Sequence, residues 1–257
     1  MNVIGMFDSG VGGISVLQET RRLLPQNRII YLADQAYGPY GDRTLEDVRL
    51  RADLVVRGLL GEGATIIVIA CHTASAAALH YLRRRHPLTP IVGIEPAVKP
   101  AAERTETRTV GVMATTATFQ GELFSSVVSR FAANTRVIAR PCPGLADLIE
   151  IGSDRSILEK ALLEHLEPFR ERDVDQIVLG CTHYSLIGDL IAELSGAEVV
   201  DPAPAVAAQV ARVAASPGPD SESLPEFRLL TTGDAVLFAE RSAALLGRVH
   251  PVERIDF

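Results

Sequence analysis

Two cysteines sit in matched surroundings. Ile66–Ala74 reads IIVIACHTA and Ile177–Ser185 reads IVLGCTHYS. Each is an apolar run that passes through a small residue into a cysteine, followed by Thr and His in either order. A thiol is an acid and its thiolate a base, so Cys71 and Cys181 on opposite faces of one carbon suit paired proton transfer. One thiolate removes a proton and the other thiol delivers one to the far face. The roles exchange in the reverse direction, so a symmetric pair suits a reaction whose substrate and product are mirror images. The α-carbon of an amino acid is such a centre.

That chemistry sets demands on the neighbours. A cysteine where a strand gives way to a helix faces backbone N–H groups and the positive helix end, which lower its pKa. Asp8 and His72 are the candidates to tune Cys71, and His183 and Glu150 to tune Cys181. Charge developing on the substrate carboxylate needs preorganised donors. Ser9, Thr73, Ser75, Thr115, Thr116, Thr118 and Thr182 supply hydroxyls near strand ends. Gly10, Gly12 and Gly13 let backbone N–H groups approach an anion.

Competing readings of the same residues are blander. A cysteine after an apolar strand is commonly inert core. Cys142, in Arg140-Pro141-Cys142-Pro143, has no partner motif and reads as structural. A Cys71–Cys181 disulfide and a zinc site from Cys71, His72, Cys181 and His183 remain formal alternatives, although adjacent Cys-His pairs lack the usual ligand spacing. The turn Asp8–Gly13, DSGVGG, lacks the lysine of a P-loop and the spacing of the dinucleotide fingerprint. His80, His86, His165 and His250 read as surface or capping residues.

The elements that must position these side chains are legible as short apolar strands alternating with longer amphipathic helices. Strands are expected at 2–7, 28–33, 65–70, 91–94, 109–113, 136–139, 176–179, 198–200 and 227–231. Helices are expected at 14–24, 45–60, 74–85, 119–131, 157–171, 186–194 and 235–246, with Thr44 as an N-cap. Strand-helix alternation means a mostly parallel α/β fold, with ligands beyond the carboxyl ends of the strands. Both cysteines fall at such ends. The repeated motif implies two similar domains facing each other, one thiol on each wall of a cleft. The stretch 215–225, ASPGPDSESLP, reads as the linker that returns the chain to the first domain. The expected division is 1–96 plus 211–257 for the first domain and 97–210 for the second.

Bulk properties narrow the class. The 257 residues are 47% hydrophobic and 22% charged, enough for packed cores. A net charge of −7 argues against a nucleic-acid surface. Arg83, Arg84 and Arg85 read as a solvated helix end. No run approaches the roughly 18 apolar residues of a membrane span, and no signal peptide is visible. Three cysteines in a chain of this size point to a reducing, cytoplasmic setting.

Taken together, FDSGVGGISVL (Phe7–Leu17), YLADQAYGPYGDRT (Tyr31–Thr44), VIACHTASA (Val68–Ala76), VGIEPAVKPA (Val92–Ala101) and VLGCTHYSLI (Val178–Ile187) resemble the glutamate racemase family. Shorter matches are VGVMATTATFQ (Val110–Gln120) and LIEIG (Leu148–Gly152). The resemblance implies two α/β domains related by pseudo-twofold symmetry, and a cofactor-independent interconversion of L- and D-glutamate that feeds peptidoglycan. It implies Asp8, Glu150 and His183 as assistants to Cys71 and Cys181. Substrate contacts are implied for Asp8, Ser9, Pro39, Tyr40, Gly41, Thr73, Thr118, Thr182 and His183. It implies no metal, and homodimers are usual. The chain departs from the pattern at His72, where the family usually has Asn; at Ala114 and Ala117, often glycine; at Ser185, usually proline; and over 141–149. His72 is itself a candidate substrate contact, and it leaves open a racemase or epimerase for another acidic amino acid, such as aspartate. A binding or regulatory homologue without the chemistry is the third reading.

Overall fold

The computed structural model describes residues 2–214 and 227–257. The expected linker at 215–225 lies outside the described residues. The first unit opens with β1 (Val3–Asp8), α1 (Ile14–Leu23), β2 (Arg28–Ala33), α2 (Leu45–Gly61), β3 (Ile66–Ile69), α3 (His72–Arg85) and β4 (Ile91–Gly93). The second comprises α4 (Val98–Arg104), β5 (Thr109–Ala114), α5 (Thr116–Gln120), α6 (Glu122–Phe131), β6 (Arg136–Pro141), α7 (Leu145–Glu150), α8 (Arg155–Arg170), β7 (Gln176–Gly180), α9 (Thr182–Ser185), α10 (Gly188–Ser195) and β8 (Glu198–Val200). The chain closes with α11 (Ala203–Val213), β9 (Phe227–Thr231), α12 (Ala235–Leu246) and β10 (Val252–Arg254).

Among the described residues the strands form two sheets, ordered β10-β9-β2-β1-β3-β4 and β6-β5-β7-β8, with every pairing parallel. Every residue of β1, β3 and β7 is buried, because helices cover both faces of a parallel sheet. On the first sheet, Phe7, Ile67 and Ile69 pack with Val55 and Leu59 of α2 and Leu82 of α3. On its other face, Met6 and Val68 pack with Leu17, Val210 and Phe238. The second sheet is covered in the same way. Leu162 and Ile191 lie over Ile177 and Leu179, while Val98 and Val127 lie over Val110 and Val178. Edge strand β6 has no fully buried residue and ends at Pro141, where a missing N–H breaks no interior ladder.

The structure departs from the sequence expectations where helices are short or interrupted. The helix expected over 119–131 is two helices, broken at Gly121, which is extended at φ −75°, ψ 146°. α4, α7, α9, α11 and β10 lie outside the expected elements. α4 and α7 span seven and six residues, too few for a clear period, and the prolines at 202 and 204 disguise α11. α11 buries Ala203, Val206 and Val210 in the core of the first sheet. On that packing we propose that the first domain takes up the chain again at Ala203 rather than at 211. Thr44 caps α2 as expected, its hydroxyl accepting the Asp47 N–H at 3.1 Å. Among the described residues no helix is long and apolar enough to cross a membrane.

A buried carboxylate just beyond β2 ties this domain together. Asp34 is fully buried and accepts two guanidinium bonds from Arg51, at 2.8 and 2.6 Å, and hydroxyl bonds from Tyr40 at 2.5 Å and Thr232 at 2.8 Å. These contacts join the β2 loop, α2 and the segment after β9. Replacing one partner would strand a buried charge. Arg51→Met is therefore expected to destabilise folding by about 3–5 kcal/mol, measured as a fall in the urea midpoint at unchanged slope.

Candidate active site

A cavity of about 250 Å³ opens where the carboxyl ends of the two sheets face each other. Ser9 follows β1, Cys71 follows β3, Thr115 follows β5 and Cys181 follows β7, and all line it. Cys71 and Cys181 are the N-cap residues of α3 and α9, both with extended backbone. One thiol thus comes from each domain. All three cysteines are free and buried, so the disulfide alternative does not describe this structure. Among the described residues no group of three or more His, Cys, Asp or Glu is arranged so that it could hold a metal ion.

Ser9, Pro39, Tyr40, Gly41, His72, Thr73, Glu150, Thr182 and His183 also line the cavity. Asp8 and Thr118 stand behind its wall. Asp8 is fully buried and accepts the Gly10 N–H and the Thr182 hydroxyl, each at 2.9 Å. Thr118 closes a triangle of hydroxyls across the domain seam, with Thr73–Thr115 at 2.9 Å, Thr115–Thr118 at 2.9 Å and Thr73–Thr118 at 3.3 Å. Ser75 lies away from the cavity and accepts the Ile94 N–H at 3.0 Å, a structural post rather than a donor to substrate. Cys142 is buried and lines the cavity, and its carbonyl accepts the Tyr184 hydroxyl at 3.2 Å. His86 caps α3 and reaches Asp53 at 3.1 Å, whereas His165 is buried in α8 rather than on the surface.

Cys181 has a basic relay behind it. Its sulfur lies 3.8 Å from Nδ1 of His183, whose Nε2 lies 2.6 Å from Oε2 of Glu150. Burial opposes charge on His183, but hydrogen bonds to Cys181 and Glu150 outweigh it and raise its pKa well above the ordinary value. Burial likewise favours protonated Glu150, but bonds from His183, the Val11 N–H and Gln35 hold its pKa below the usual carboxylate value. The favoured state is an imidazolium bridging carboxylate and sulfur. A cation so placed steadies a thiolate and can return its proton.

Cys71 has no such relay. Its sulfur lies 4.0 Å from the Ser9 hydroxyl. Burial first, and then the Asp8 charge, push its thiol well up, against the lowering by the Ala74 N–H. The sequence expectation of a lowered pKa at this helix start is corrected here, because desolvation exceeds the helix-end effect. His72, the residue after Cys71, is buried against the cavity, and neither ring nitrogen has a hydrogen-bond partner. Burial pushes its pKa down to about 3, so the ring is neutral.

Two glycines set how near the domains come. A side chain at Gly12 would meet His183 Nδ1 and Thr182 Oγ1 at 2.6 Å, and one at Gly10 would run into the Glu150 carboxylate. The Val11 N–H between them donates to Glu150 at 2.9 Å. The turn does bind anions, as its sequence suggested, but they are the protein's own carboxylates. Sequence reasoning did not single out Gln35, which also contacts Glu150, although it lies inside the segment YLADQAYGPYG.

The sequence profile of the Asp/Glu/hydantoin racemase family matches residues 14–210. A glutamate racemase of a Roseiflexus species is 45% identical, covering 98% of this chain and 94% of its own. The chain belongs to the glutamate racemase family. Solved members superpose over its whole length. A glutamate racemase isoform of Bacillus anthracis matches with TM-score 0.90 at 30% identity, covering 100% of this chain and 98% of its own. The Escherichia coli glutamate racemase, solved with L-glutamate and the activator UDP-MurNAc-Ala, matches with TM-score 0.86 at 30% identity, covering 99% and 98%. The fold of this family is the two-sheet α/β arrangement described above.

The neutral ring of His72 has a measurable consequence. Between its ordinary pKa of 6.5 and about 3, the unfolded chain takes up a proton that the folded chain refuses. Folding stability from this site is therefore lost as pH falls through that window. His72→Asn is expected to flatten the decline of the urea midpoint between pH 6.5 and 3 relative to wild type.

Proposed function

We propose that this protein is a cofactor-independent glutamate racemase working by two-thiol proton transfer. One observation carries the proposal: Cys71 and Cys181, from different domains, line a single cavity in a chain matched over nearly its full length by glutamate racemases. In the step, one thiolate takes the α-proton of the bound amino acid. The electron pair left on the α-carbon spreads into the carboxylate. The opposite thiol gives its proton to the other face, leaving the enantiomer, one new thiol and one new thiolate. Neither electrons nor protons are gained overall, so no redox partner is required.

The roles follow from position. His183 and Glu150 assist Cys181, while Asp8 acts on Cys71 through its charge and holds Thr182. Ser9, Thr73 and the 39–41 segment face the substrate, and excluding bulk water strengthens the fixed donors that stabilise the carbanion and prevents proton exchange outside the two thiols. We include in the proposal a cytoplasmic homodimer that supplies D-glutamate to peptidoglycan. His72 favours a second reading, in which the ring reshapes the cavity for another acidic amino acid.

Racemisation assays on L-Glu, D-Glu, L-Asp and D-Asp decide between the readings, since turnover of aspartate without glutamate selects the second. In either case solvent deuterium should enter the α-carbon. Cys71→Ser and Cys181→Ser should each lower kcat by about 10²–10⁴-fold, measured by circular dichroism of the substrate. Racemisation that survives both substitutions would exclude the two-thiol step.

A further inference from the structure

Gln35 lines the cavity and bridges the domains beside the Cys181 relay. It follows β2 in the first domain, and its Nε2 donates to Glu150 Oε1 of the second at 2.5 Å. Its own carbonyl is occupied. Gln35 Oε1 accepts the Thr231 hydroxyl at 2.9 Å, and Thr231 Oγ1 accepts the Gly233 N–H at 3.0 Å. With its oxygen taken by the Gly233 N–H, the Thr231 hydroxyl has its proton free for Gln35. That fixes which end of the amide faces Glu150, because a carboxylate can only accept. A side chain at Gly233 would meet Gln35 Cβ at 2.8 Å, so the turn after β9 is shaped around it.

The two oxygens of Glu150 are thereby divided. Oε1 takes Gln35, while Oε2 takes His183 at 2.6 Å and the Val11 N–H at 2.9 Å. Gln35 thus holds the carboxylate plane that orients His183 toward the Cys181 sulfur. Asp8, Ser9 and the Ala74 N–H stand beside Cys71 and share no hydrogen bond with Gln35, Glu150 or His183, the last two of which reach Asp8 only through their charges. We propose that Gln35 is a positioning residue for one half of the reaction, acting from the opposite domain through Glu150 and His183 on Cys181 alone. This rests on the two-thiol reading and extends it.

The test uses the full-length protein with Gln35→Leu, which keeps the side chain's bulk and removes the donor. An equilibrium constant of one ties the kcat/KM values of the two enantiomers together, so direction shows instead in isotope effects. Gln35→Leu should lower kcat by roughly 10–100-fold, the loss typical when a group that orients a functional ligand is removed. The primary isotope effect with α-deuterated glutamate should rise for one enantiomer and not the other. Thr231→Val, which frees the Gln35 amide to turn, should give a smaller change of the same one-sided kind and serves if Gln35→Leu does not fold. Wild-type rates in both variants, or isotope effects that rise equally in both directions, would overturn the assignment. Cys181→Ser in the same assay keeps the two ideas separable. If it is inactive beside an unaffected Gln35→Leu, only the Gln35 assignment fails; if it is active, the two-thiol reading fails and takes the assignment with it.

Discussion

A partly buried carboxylate at the seam between two domains needs donors from both sides, and Glu150 finds them. His183 reaches it from its own domain, and the Val11 N–H and Gln35 reach it from the other. The rest of the site depends on this seating. It requires the DSGVGG turn to come close enough that neither Gly10 nor Gly12 has room for a side chain. It brings β1 and β7 near enough for Asp8 to hold Thr182. It also sets the distance at which one cavity receives a thiol from each sheet.

Cys71 and Cys181 sit in unequal surroundings. Cys181 has a cation at hydrogen-bonding distance, backed by a carboxylate. Cys71 has burial and a nearby carboxylate, both of which resist its ionisation.

Most of the fold was legible because a parallel sheet buried on both faces leaves uninterrupted apolar runs. β2, β8, β9 and α12 lie where the residues indicate, and both cysteines were placed by their position after such runs. What escaped depends on contacts between distant residues. Asp34 and Arg51 are 17 positions apart and meet only once α2 folds back. Gln35 and Glu150 are 115 apart. Ser75 looked like Thr73, yet the turn of α3 carries one into the cavity and the other onto a backbone amide. The Cys71 environment was misjudged for a related reason: a helix start is visible in sequence, whereas the depth of its burial is not.

The final stretch of chain, entered after the second domain is complete, supplies Thr231 to Gln35 and Thr232 to Asp34. These bonds belong to the first domain, whose other strands are the earliest made. During synthesis, then, the opening half of this protein leaves the ribosome without its last two strands, and the second domain forms beside an unfinished neighbour. Catalytic geometry has no separate moment of assembly. A chain cut before Thr231 would hold both cysteines and lack the hydroxyls that seat Gln35 and Asp34.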